Sequence, residues 1–311
     1  MPDLPAGSQL AQADRLLHQH WGCGLAALGA VLATATDWPT GPDGTAAVTT
    51  EDLVAETAAW SALPADHIRA AVARLRLHPG NAAGTGPHAY TEVERRSRPL
   101  AHPLIAADET LLILPWLAFA AREAYAAYLD DGRLPHPELP APVTQALLRH
   151  RQQLDKHLER EISEAVLAAG LPHRFRLLEK TAANLGVPDL VGEIDLLVAD
   201  PATGRLWVIE AKNPTGAVAP HALIQHIQKF TTRYRDKLWA KAATIAAHPH
   251  QAAALCGVTG EFDWRVLPLM VTRTIEPAAF LADPHVPYIT ADRLIAVLAD
   301  PGWIPVPEPA Y

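Results

Sequence analysis

The sequence predicts an α/β fold over residues 141–311, a mixed central β-sheet flanked by helices, behind a mainly helical N-terminal domain over residues 1–140. Three observations carry this. A long amphipathic helix is expected from about Val143 to Ala169. Two apolar strands follow, Glu193–Ala199 and Leu206–Ala211, joined by the turn sequence DPATG. Between the two halves, residues 133–142 (RLPHPELPAP) hold four prolines, which cannot continue a helix and mark a boundary.

The 311 residues are 49% hydrophobic and 19% charged, the balance of a chain with a real core. A formal net charge of −8 argues against a protein that coats nucleic acid nonspecifically, which needs a broad basic surface, but not against an enzyme with a local basic track. Two cysteines, Cys23 and Cys256, form no zinc spacing and fit a reducing cytoplasm. Met1–Ala6 lack the basic start of a signal peptide. The apolar run Trp21–Ala35 is shorter than the roughly 20 residues that span a bilayer. It is read as a buried helix or helix pair, and the chain as cytoplasmic, with no membrane partner.

In the N-terminal domain, Thr49 or Thr50 caps a helix that runs to about Trp60, with Glu51 and Asp52 in its first turn. Asp66–Leu77 forms a second helix with Ile68, Ala71, Val72 and Leu75 on one face. Helix, short turn, helix over 50–77 is the outline of a helix-turn-helix, an outline that other helical domains share. Residues 79–89 read as a loop, Thr110–Pro115 as a short strand and Ala118–Leu129 as a helix. After the proline-rich boundary come the long helix closed by Gly170, a strand at Arg174–Glu179 and the two apolar strands. A helix over Ala219–Ala246, strands at Val266–Thr272 and Tyr288–Thr290, and a last helix at Ala291–Ala299 complete the order.

The chemistry concentrates in GEIDLLVADPATGRLWVIEAKNP, residues 192–214. Side chains alternate along a strand, so Glu210 and Lys212 share a face with Val208. Asp195 opens an apolar run, where a carboxylate is costly unless paired. A hairpin at DPATG brings Asp195 and Glu210 together. Two close carboxylates repel, and a hard divalent cation relieves that repulsion. Lys212 beside them can orient a water, assist its deprotonation or stabilise charge on a phosphate. A surface ion pair is the plainer reading of an ExK strand, but here the charges interrupt buried elements.

GEID followed by EAK resembles the PD-(D/E)XK nuclease superfamily, the restriction-endonuclease-like fold, over roughly residues 150–300. The resemblance implies Mg²⁺-dependent hydrolysis of DNA phosphodiester bonds, with Mn²⁺ able to substitute. It implies metal ligands at Asp195, Glu210 and the Ala211 carbonyl, with Lys212 as the catalytic lysine. The family adds a glutamate from the preceding helix: Glu161 is preferred here, with Glu159 as the alternate. Pro188-Asp189 spells the family's PD in a loop, and Asp189 stands as an alternate to Asp195. Glu193 shares the face of Asp195 and lines the cleft. On the following helix, Gln228 and Lys237 are the candidates for substrate contact, within the set Gln225, Gln228, Lys229, Arg233, Lys237 and Lys241. DNA is the implied partner, a homodimer is compatible with the family, and foreign-DNA defence or repair are natural settings. A noncatalytic binding protein of the same fold and an RNA-directed nuclease are the alternatives.

Overall fold

The computed structural model describes residues 7–78, 99–136, 139–214, 220–282 and 287–300. The expected loop at 79–89 and the loop after Pro214 lie outside the described residues. The chain divides into two compact units, Met1–Gln152 and Gln153–Tyr311. The boundary falls inside the long helix rather than in the proline-rich segment before it.

In the first unit, helices α1 (Gln9–Trp21), α2 (Leu25–Thr36), α3 (Thr50–Ser61), α4 (Ala65–Leu75) and α5 (Pro115–Asp130) surround a core that includes Leu17, Leu28, Leu53, Ile68, Leu75 and Tyr125. The Trp21–Ala35 run is therefore a helix end and a buried helix. Thr49 caps α3 through a reciprocal box: its hydroxyl accepts from the Asp52 N–H at 3.1 Å, and the Asp52 carboxylate accepts from the Thr49 N–H at 3.3 Å. The expected face of α4, Ile68, Ala71, Val72 and Leu75, is buried.

The unit also holds a sheet that the sequence only hints at. Strands β1 (Ala46–Thr49), β2 (Arg76–Leu77), β3 (Leu104–Ala107) and β4 (Thr110–Ile113) lie in the order β1-β4-β3-β2. Only β4 carries a recognisable apolar run. The others are two to four residues long, rich in alanine or following directly on a helix, too short to show a period of two.

The second unit begins within helix α6 (Ala141–Ala168), which gives Val143, Ala146 and Leu147 to the first core and Leu158, Ile162 and Val166 to the second. Five strands, β5 (His173–Leu177), β6 (Ile194–Asp200), β7 (Arg205–Lys212), β8 (Arg265–Thr272) and β9 (Tyr288–Thr290), lie side by side in chain order. β5, β6 and β7 are antiparallel, and β8 and β9 join in parallel, so the sheet is mixed as expected. Alternation sends Leu196, Val198, Trp207 and Ile209 to one face, against α6 and the C-terminal helix Leu294–Ala299. It sends Leu197, Ala199, Leu206 and Val208 to the other, against the helices that follow β7. Each fully buried leucine, isoleucine or valine among them contributes roughly 1.5–3 kcal/mol. Helix α7 (Glu179–Asn184) occupies part of what the sequence presents as a loop. No helix among the described residues is long and apolar enough to cross a membrane.

Gly204 closes the β6–β7 hairpin at φ +65°, and a Cβ there would stand 2.8 Å from the Asp263 carbonyl oxygen. Gly257 has φ +83° with open space around it. Gly204→Ala is expected to destabilise the fold by roughly 2–3 kcal/mol, strain plus backbone collision, and Gly257→Ala by about 1 kcal/mol, strain alone. Urea denaturation of the two variants checks the difference, and equal losses would contradict the collision.

Candidate functional site

The hairpin register sets the site. Leu196 pairs with Ile209 and Leu197 with Val208, so the next step places Asp195 across from Glu210. Both project to the sheet face that carries Leu197 and Val208. The Asp195 carboxylate accepts the Ala211 N–H at 2.8 Å, which ties it to β7 just past the last paired residues. Lys212, on the same face as Glu210, donates to Glu210 Oε2 at 3.0 Å and to the Ala211 carbonyl at 3.0 Å, and lies 3.7 Å from Asp195 Oδ2. The structure thus brings Asp195, Glu210 and Lys212 into one cluster.

A fourth member was not singled out by the sequence. Helix α8 (Pro220–Lys229) passes through a π-helical turn, Phe230–Tyr234, into α9 (Arg235–Ala247). Lys241 on α9 is 5% exposed; its ammonium donates to Glu210 Oε1 and to the Glu193 carbonyl. Glu210 is therefore held from both oxygens by lysines. The signal was available: Lys241 stands three residues after Leu238 and four before Ile245, a charge inside the buried stripe of its helix.

The π-turn also sets where Lys237, a candidate for substrate contact, lies. In a regular helix the seventh residue after Phe230 shares its face, and that residue is Lys237. The π-turn adds a residue, Leu238 takes the inward place, and Lys237 is exposed. Gln225, Gln228, Lys229 and Arg233 are exposed as well. Neither Gln228 nor Lys237 forms a hydrogen bond or ion pair with Asp195, Glu210 or Lys212.

The glutamate preference also changes. Glu161 is exposed, on the opposite side of the Leu158/Ile162 stripe from the cluster. Glu159 is partly buried, lies 3.8 Å from Arg176 and feels the charges of Arg176, Glu193 and Lys212. A step of 100° per residue puts Asp155, Glu159 and Ser163 along one line of α6, the line that faces the sheet end. The alternate, Glu159, is the helix glutamate beside the site. Asp189 is exposed in a left-handed turn, φ +59°, with no bond to the cluster, so Asp195 is the strand aspartate.

Arg176 is the other unforeseen residue. It stands across from Asp195 in the β5–β6 register, yet has φ +51°, a conformation rare for a side-chain-bearing residue in a strand. Its guanidinium grips Glu193 at 2.5 Å and 3.3 Å. Backbone strain of this kind collects at functional sites, and no sequence pattern announces it.

Burial, and after it the charge of Glu210, pushes the Asp195 carboxyl up to about 6. Burial alone would draw the Lys212 ammonium down, but Glu210 and Asp195 outweigh it and hold its pKa above the usual lysine value. Lys212 is thus a charged donor in this arrangement. Burial raises the Glu159 carboxyl, with Arg176 pulling the other way.

The Asp195 and Glu210 carboxylates and the Ala211 carbonyl form an all-oxygen donor set, the kind a hard divalent cation prefers. Two mutually repelling carboxylates on one face fit such an ion. They supply only part of a coordination shell: among the described residues, no group of three or more His, Cys, Asp or Glu side chains is arranged to hold a metal. Mg²⁺, which keeps several waters, tolerates so sparse a protein contribution.

Lys241→Met removes one partner of a buried ion pair and is expected to destabilise the protein by about 3 kcal/mol, whereas Lys237→Met should stay within about 0.5 kcal/mol. Chemical denaturation of both variants measures this, and equal stability would show that the Lys241–Glu210 pair is not buried in solution.

The chain matches no protein-family model, no curated protein and no solved structure, so the arrangement of Asp195, Glu210 and the two lysines is what carries a functional reading.

Proposed function

We propose that the second unit is a metal-dependent nuclease of the restriction-endonuclease-like kind, hydrolysing phosphodiester bonds in DNA. The observation that supports it most is the placement of Asp195 opposite Glu210 with Lys212 against both. Asp195, Glu210 and the Ala211 carbonyl would hold the ion, Mg²⁺ or in its place Mn²⁺. When bound, such an ion lowers the pKa of a coordinated water and offsets charge on the phosphate.

The chain's own groups have distinct roles. Lys212, kept charged by its neighbours, donates to a phosphate oxygen and stabilises the negative charge that builds there. Its proximity to two carboxylates favours this electrostatic role over that of a general base. Lys241 holds Glu210 from the far side and links it to the backbone of Glu193, which fixes the carboxylate's orientation. Glu159 and Arg176 border the cluster, where an attacking water or a phosphate would enter. The paired helices α3 and α4 of the first unit are candidates for contact with DNA. Defence against foreign DNA, or repair, is the setting that the likeness of motif suggests.

A second reading, a noncatalytic binding protein of the same kind, draws on one observation: both oxygens of Glu210 are already engaged by lysines. Metal titration separates the two. In the first reading, millimolar Mg²⁺ or Mn²⁺ raises the melting temperature by mass action, and Asp195→Asn abolishes the rise.

Cleavage of single-stranded, duplex and branched DNA, and of RNA, is to be measured with Mg²⁺ and with EDTA. The expected outcome is DNA cleavage that EDTA stops. Asp195→Asn, Glu210→Gln and Lys212→Ala should each lower its rate by about 10²-fold or more. Glu159→Gln is expected to slow it and Glu161→Gln to leave it unchanged. A Lys212→Ala protein that cleaves as fast as the parent rules the assignment out, and cleavage of RNA alone redirects it.

A further inference from the structure

The first unit carries a groove of ≈ 620 Å³ lined by Ala33, Thr34, Asp37, Trp38, Glu56 and Trp60, together with Pro39. Its walls combine two indoles with two carboxylates. Trp60 is 55% exposed, yet it is not loose: its Nε1–H donates to Thr34 Oγ1 at 3.0 Å, and the buried Thr34 hydroxyl donates in turn to the Ala30 carbonyl at 3.0 Å. A large indole is thus held with its body toward water, an arrangement that core packing does not require.

The electrostatics agree. Asp37 follows α2 directly, at the end where the helix dipole is negative and where a carboxylate is unfavourable. Glu56 lies one turn before Trp60 on α3. Among the described residues neither Asp37 nor Glu56 has an ion-pair partner, although surface carboxylates elsewhere in this unit, Glu51 and Asp66, share Arg69. Negative potential and indole rings lining one groove are the recognition chemistry of an organic cation.

We propose that this groove is a docking site for a basic side chain, an arginine or lysine presented by a protein partner. A charged head enters between Trp38 and Trp60 and is neutralised by Asp37 and Glu56, and its aliphatic stem lies along Ala33 and Pro39. The openness of the groove favours a side chain over a free metabolite. Asp37, Glu56 and Trp60 all remain exposed, whereas sites for small molecules enclose most of the ligand. The proposal is independent of the chemistry assigned to the second unit.

The test is ¹⁵N NMR of the full chain, following the Trp60 indole N–H, assigned by its disappearance in Trp60→Phe. The probes are acetyl-Gly-Arg-Gly-amide, its Lys and Glu counterparts, and tetramethylammonium chloride. The expected result is a saturable shift with the Arg or Lys peptide, in roughly the millimolar range for so small a probe. The Glu peptide should give none. Affinity should fall about tenfold in the double variant Asp37→Asn/Glu56→Gln, and it should weaken in the parent as salt is raised. The proposal is overturned by a shift that does not saturate, by equal binding of the Glu peptide, by undiminished affinity in a folded double variant, or by saturation with tetramethylammonium alone. If the double variant does not fold, the salt dependence decides: binding unaffected by salt overturns the proposal.

Discussion

Glu210 has given up almost all of its contact with water, and everything near it is arranged around that loss. A carboxylate in such a place must be compensated by charge, and Lys241 and Lys212 supply it from opposite sides. Asp195 on the neighbouring strand sits close enough to feel the same negative charge. The cluster is then balanced but not inert. Its negative members form a donor set of hard oxygens, and Lys212 stays charged beside them. The β6–β7 register, the backbone bond from Ala211 to Asp195 and the reach of Lys241 to the Glu193 carbonyl all fix the distance between the two acids.

Much of the second unit was legible in the sequence because its elements are long and apolar. The hairpin of β6 and β7, the long helix before it and the final strands fall within a few residues of their expected places. So do the residues that converge on one strand pair, since a period of two assigns Asp195, Glu210 and Lys212 to a face without any knowledge of the rest. The helices failed in their phase, not in their existence. Glu161 and Glu159 differ by two residues and lie on opposite flanks of the α6 stripe, and helical period alone does not say which flank meets the sheet. The exposed place of Lys237 follows from a π-turn, which has no sequence mark. Lys241 belongs to a charged series in the sequence, although its apolar neighbours identify it as inward. Arg176 owes its position to a left-handed backbone within a strand, which no pattern of residue types encodes.

The first unit was less legible for a different reason. Its sheet is made of very short strands, two to four residues each, and hydrophobic alternation cannot be recognised over so few positions. Its helices, by contrast, announce themselves through caps and stripes, as Thr49 and Asp52 do for α3. The groove between the end of α2 and α3 contains no motif at all. It arises because Trp38 and Trp60, 22 positions apart in the sequence, are brought together by packing, and because Thr34 is in place to anchor one of them.

The π-turn at Phe230–Tyr234 has one more implication. A turn of that kind behaves in the helix as a one-residue insertion, with its extra length absorbed within a single widened loop of backbone. A helix of the same length that lacked it would present its downstream residues rotated by about 100°. Aligned without a gap, the two chains would equate a buried lysine with an exposed position. Dropping one residue together with the turn would instead leave Lys241 facing the acids, because the shorter regular helix keeps the same phase beyond it.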